Sequence, residues 1–131
     1  MPSRDLVAAA KEIRARAHAP YSNYLVGAAV MGASGRIFVG CNVENASFGA
    51  TLCAERAAVA AMVAAGDLRL QAVAVYSEGD PPANPCGICR QVLAEFADDA
   101  EIFVASPLGI TNTTLRALLP ERFALQKRIS P

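Results

Sequence analysis

The chain is 131 residues long, with 12 Lys and Arg balanced by 12 Asp and Glu. This length suits one domain, residues 1–131, and argues against two. The balanced charge, with no run of one sign, lacks the basic stripe of a nucleic-acid binder and predicts a small neutral substrate instead of a polymer.

The N-terminus, Met1 to Asp5, has no apolar core of signal-peptide type, and no run is long enough to span a bilayer. A cytoplasmic location is the expectation, with no membrane partner. Leu6, Val7, Ala10, Ile13 and Ala17 then recur at helical spacing, with Ser3 as N-cap and Lys11, Arg14 and Arg16 toward the far end. Pro20-Tyr21-Ser22-Asn23 breaks that helix. Tyr24 to Met31 is nearly all apolar and turns through Gly32-Ala33-Ser34-Gly35 into Ile37 to Asn42, which predicts a buried β-hairpin.

A polar stretch, Asn42 to Ser47, leads to a second helix over Cys53 to Ala65, closed by Gly66. Ala72 to Tyr76 predicts a third strand, and a Pro/Gly-rich loop, Glu78 to Pro85, feeds a third helix from Cys86 to Ala97. Ile102 to Ala105 predicts a fourth strand, and Thr114 to Leu119 a short helix stopped by Pro120. Internal repeats and low-complexity stretches are absent. Strand–helix–strand–helix order after a hairpin predicts an α/β fold with a mostly parallel or mixed sheet.

Chemistry concentrates in Cys53-Ala54-Glu55 and Pro85-Cys86-Gly87-Ile88-Cys89. Cys53 and the Cys86/Cys89 pair each fall at a predicted helix N-terminus, where unpaired N–H groups and the helix dipole favour thiolate over thiol. Two such helices aimed at one point can hold a Zn²⁺ between them. Three protein ligands leave the fourth tetrahedral position for water, the mark of a catalytic zinc, and Glu55 is the proton carrier that water needs. His18 is the only histidine, so acid–base chemistry must run on carboxylates. Zinc with three thiolates is net negative. Arg56 and Arg90, each beside a site residue, are placed to donate to the sulfurs and offset that charge.

Three other readings of the cysteines stand beside this one. Cys86-x-x-Cys89 alone reads as a redox pair, which leaves Cys53-x-Glu55 unexplained. Cys41 as a fourth ligand makes a closed structural site, although the spacing is unlike paired C-x₂₋₄-C knuckles. All four cysteines can also be ordinary core residues. The spacing favours the catalytic site, with Cys41 in the core or behind the ligands.

C-x-E followed by P-C-x-x-C resembles the signature of zinc nucleobase deaminases, with Cys in place of the first His. The likeness extends to A-P-Y-S-N-Y-L-V-G-A-A at 19–29, G-C-N-V-E-N-A-S at 40–47, C-A-E-R at 53–56, P-C-G-I-C-R-Q-V-L at 85–93 and L-L-P-E-R-F at 118–123. On these blocks the chain resembles the small homotetrameric zinc cytidine deaminases of pyrimidine nucleoside salvage. The resemblance implies a three-layer α-β-α fold and deamination of cytidine and 2′-deoxycytidine to the uridine products. It also implies one zinc per subunit on Cys53, Cys86 and Cys89, with Glu55 as proton shuttle and Arg56 bonding a thiolate. Asn42 and Glu44 match the pair that binds the ribose hydroxyls; backbone groups near Ala54 and Cys86, lying beside the metal ligands, are placed to read the base edge. Tyr24 stands where the family usually has a Phe packed on the pyrimidine, and its hydroxyl needs a partner. Phe123 matches an aromatic given to a neighbouring subunit's site, and Glu121 replaces a common Gly. A blasticidin-S-type deaminase shares similar zinc motifs but matches Asn42-Val43-Glu44-Asn45 and Arg56 less fully. A zinc-stabilised binding module without turnover makes Glu55 incidental.

Overall fold

The computed structural model describes residues 2–127. Its elements are α1 (Pro2–Arg14), β1 (Gly27–Gly32), β2 (Ile37–Cys41), a 3₁₀ turn (Phe48–Ala50), α2 (Ala54–Ala64), β3 (Leu70–Tyr76), α3 (Gly87–Glu95), β4 (Glu101–Ser106), β5 (Gly109–Thr114) and α4 (Leu115–Leu118). The strands form one sheet in the order β2-β1-β3-β4-β5. Only β3 and β4 run parallel, joined through α3, so the sheet is mixed. Among the described residues no helix is long and apolar enough to cross a membrane.

Alternation along the strands separates two cores, because successive side chains on a strand point to opposite faces. Ala28, Val30, Val73, Val75, Ile102 and Val104 pack with Ala54, Ala58, Met62 and Leu93 of α2 and α3. Ala29, Ala74, Tyr76, Phe103 and Ala105 face the other way, onto Leu6 and Ala10 of α1. The result is the three-layer α-β-α arrangement. Fully burying a side chain such as Leu93 or Ile102 contributes about 1.5–3 kcal/mol relative to exposure, so these two faces hold the layers together.

Three expectations need correction. Helix α1 begins at Pro2, so Ser3 lies inside its first turn and is not the cap; proline suits the first helical position because its φ is preset and it has no N–H to satisfy. The helix also stops at Arg14, short of Ala17: Arg16 and Ala17 bond back to the carbonyls of Ile13 and Arg14, and His18 N–H then bonds Asn42 O at 3.0 Å. Finally, β5 was not foreseen. It is a polar edge strand paired to β4 across the Pro107-Leu108 turn. Its β-branched Ile110, Thr111, Thr113 and Thr114 after a Pro/Gly turn were the available signal.

One close approach fixes α2, the helix that carries Glu55, onto the sheet. A Cβ at Gly40 of β2 would sit 2.6 Å from the Ala54 carbonyl oxygen and 2.7 Å from Ala57 Cβ, so only glycine lets helix and strand meet at backbone distance. Gly40→Ala is expected to lower unfolding stability by about 1–3 kcal/mol, the usual cost of overpacking. Urea denaturation measures it, and an unchanged midpoint would show that α2 is free to shift.

Candidate active site

The C-terminal ends of β2 and β3 and the start of β1 share one edge of the sheet, since Gly27 pairs with both Cys41 and Tyr76. Helices α2 and α3 begin at this edge with Cys53 and Cys86 as their N-cap residues. Neither cysteine makes a side-chain cap bond, which leaves both sulfurs available. Cys89, one turn into α3, is fully buried. The Sγ atoms of Cys53, Cys86 and Cys89 all lie within 4.8 Å of one another, and the Cys53–Cys86 separation is 3.9 Å. Sulfurs bound tetrahedrally at the Zn–S bond length stand about 3.8 Å apart, so the donor set fits zinc. Cys41 is half-buried and lies outside the cluster.

Electrostatics point the same way. The Cys53 thiol is pulled down to about 5, chiefly by a hydrogen bond from Cys89 and further by Arg56 and Cys86, against the opposing effect of burial. Cys89 is pushed up by the same shared bond, by burial and by the charges of Glu55 and Cys53. The three sulfurs share protons that a divalent cation would displace. Arg56 Nη2 donates to Cys53 Sγ at 3.5 Å and to Thr51 O at 3.2 Å. Its Nε is buried without a partner among the described residues. A guanidinium held against thiolates this way offsets negative charge where a cation alone would leave an excess.

Glu55 is 5% exposed, and burial lifts its carboxyl to about 7, with the charge of Cys53 adding to the rise. A pocket of about 220 Å³ opens onto these groups. Its walls include Cys53, Ala54, Glu55, Cys86 and Asn42. Ala54 is the first residue of α2, so its N–H has no partner within the helix. Val26, Thr51, Leu52, Ala83 and Asn84 line the same pocket and were not read from the sequence. Asn84, immediately before Pro85-Cys86, was findable by its position; Val26, an ordinary strand-entry residue, was not.

Residues 2–105 match the family model of the cytidine and deoxycytidylate deaminase zinc-binding region. The chain belongs to this family. It is 40% identical over 126 residues to a cytidine deaminase of Sporosarcina psychrophila, covering 95% of this chain and 93% of that one. Against a cytidine deaminase of Mycobacterium tuberculosis the identity is 43% over 116 residues, 88% of this chain and 85% of the other. Its fold superposes on the crystal structure of cytidine deaminase from Burkholderia pseudomallei with a TM-score of 0.89 at 42% identity, covering 94% of this chain and all of that one.

Not every residue expected at this deaminase-family site is brought to it. The Glu44 carboxylate accepts from the Tyr21 and Ser22 N–H groups, at 2.9 and 3.2 Å, and from the Ser22 hydroxyl. The Ser22 hydroxyl in particular holds the carboxyl below its ordinary value. Glu44 lines an adjacent pocket with Tyr21 and Phe48, joined to the first at Thr51. Tyr24 is not among the lining residues, because its hydroxyl bonds Ser77 and draws the ring toward the loop after β3. Phe123 lies elsewhere: its carbonyl accepts from Gln91 at 2.8 Å, and its side chain borders a separate cavity with Leu68 and Phe96. Arg122 places it there by capping the end of α3, donating to the carbonyls of Ala94 at 3.1 Å, Asp98 at 2.5 Å and also Ala97. Arg90 does not serve the thiolates; it ties Pro85 O at 2.7 Å to Leu118 O at 2.9 Å, steadying the chain just before Cys86.

Proposed function

We propose that the chain hydrolyses cytidine and 2′-deoxycytidine to the corresponding uridines and ammonia, in nucleoside salvage. The observation that carries this reading is the buried Glu55 facing the same small pocket as Cys53 and Cys86, with Cys89 closing the sulfur cluster behind them. Cys53, Cys86 and Cys89 would hold zinc, which when bound supplies the Lewis acidity that makes a water easier to deprotonate. Glu55 takes a proton from the attacking water and delivers it to ring N3 as the oxygen adds to C4. It then moves the remaining hydroxyl proton to the exocyclic amine. The C4–N bond breaks with its electron pair leaving on ammonia, and C4=O forms.

Asn42, on the pocket wall, and Glu44, beyond Thr51, are the groups assigned to the ribose hydroxyls. The unpaired N–H of Ala54 is assigned to the base edge. The chain is assigned to a cytoplasmic homotetramer, and subunit burial would cover large exposed side chains such as Phe123, 69% exposed, and Phe48, 79%. Phe123 is then assigned to a neighbouring subunit's pocket, since its own chain keeps it away. The test is loss of the cytosine absorbance band when zinc-loaded protein meets cytidine, with blasticidin S as competitor. Rapid loss is expected. No loss at full zinc occupancy would overturn the reading, and preference for the antibiotic would reassign the substrate.

A further inference from the structure

We propose that the Tyr24 hydroxyl clasps the two walls of the pocket together and so sets its affinity for the nucleoside, a positioning role that rests on the function proposed above. One wall is the Asn42 side. Asn42 Nδ2 donates to the Tyr24 carbonyl at 2.9 Å, and Asn42 Oδ1 accepts from the Val26 N–H at 2.8 Å. Tyr24, Val26 and Asn42 therefore move as one unit, and two of the three line the pocket.

The opposite wall is the loop from Ser77 to Pro85, which contributes Ala83 and Asn84 and ends at Cys86. Its anchor is Ser77, fully buried and fixed to the sheet by a bond from its N–H to Ala105 O at 3.2 Å. Ser77 Oγ accepts from the Ala83 N–H at 3.0 Å and from the Tyr24 hydroxyl at 2.8 Å. A single buried oxygen thus joins the pocket-lining end of the loop to the residue that carries the other wall. A serine oxygen has two lone pairs, and both are used.

The loop is shaped around this contact. A Cβ at Gly79 would collide with the Tyr24 hydroxyl and stand 3.1 Å from its ring, so glycine lets the loop close over the tyrosine. Arg14 adds a second stitch across the same gap, donating to Leu25 O at 3.0 Å and pairing with Glu78 at 3.2 Å. The Glu78 side chain is 56% exposed, so solvent screens that pair, whereas the hydroxyl bond ends on the fully buried Ser77 and is the stronger tie.

Tyr24→Phe removes one oxygen and keeps the ring. In zinc-loaded protein it is expected to raise KM for cytidine about fivefold, the scale of one net hydrogen bond, with kcat within about twofold of wild type. Zinc content should stay unchanged, and the Ala83 amide should exchange its hydrogen faster. Ser77→Ala, which loses both bonds, should raise KM further, and adding Tyr24→Phe to it should add nothing. Unchanged KM in Tyr24→Phe, or a loss confined to kcat or to zinc content, would overturn the proposal. If the wild type fails to deaminate cytidine, the function proposed above falls. The clasp is then judged on exchange alone: it stands if Ala83 exchange quickens in Tyr24→Phe and falls if it does not.

Discussion

Glu55→Gln is expected to reduce cytidine turnover about 10³-fold while the protein still binds zinc in full. The substitution is nearly isosteric, so the start of α2 and the neighbouring sulfurs keep their positions. What it removes is the ability to take a proton and hand it on. The pocket offers no replacement: among the described residues Glu55 is the only titratable side chain lining it apart from the cysteines. With Glu55 only 5% exposed, bulk water has little access to substitute for it. The loss should therefore fall on kcat, with nucleoside binding retained by Asn42 and the walls. Steady-state kinetics with metal analysis on the same sample decides it, and near-normal turnover would remove Glu55 from the mechanism.

Cys89→Ala should cost the metal itself. Cys89 is the one fully buried sulfur of the cluster, held one turn into α3, and it cannot be replaced by Cys41, which lies outside the group. Two remaining thiols, one of them exposed, make a weak and open site. Zinc content should collapse, turnover should drop by more than about 10³-fold, and thermal stability should fall because the starts of α2 and α3 lose their cross-link. Cys41→Ala should retain zinc and activity. Equal zinc loss in both variants would restore the reading of Cys41 as a ligand.

The two cysteine motifs were legible because each is a local pattern with a local structural cause. A cysteine just before a helical run sits at an N-cap, and the chain need only bring two such ends together. The hairpin and the helices were legible for the same reason, from apolar periodicity bounded by glycine and proline. β5 was missed because an exposed edge strand has no apolar face to betray it: Gly109–Thr114 is mostly exposed and is held by its ladder to β4. Ser3 was misplaced because serine before an amphipathic run is a good cap signal, whereas the helix takes its start from the preceding proline.

Sequence by itself determined the candidate ligand set and the adjacent carboxylate, which rest on spacings of a few residues, and the family, which rests on five ordered blocks between 19 and 123. Tertiary structure alone decided where the remaining polar groups go. Tyr24 meets Ser77 across 53 positions, Arg90 reaches Leu118 across 28, and Gln91 holds Phe123 across 32. None of these partners leaves a mark on its neighbours in sequence. A tyrosine hydroxyl or a guanidinium reaching a pocket edge must find some partner as water is displaced, and which one lies within 3 Å is settled only by how the layers stack.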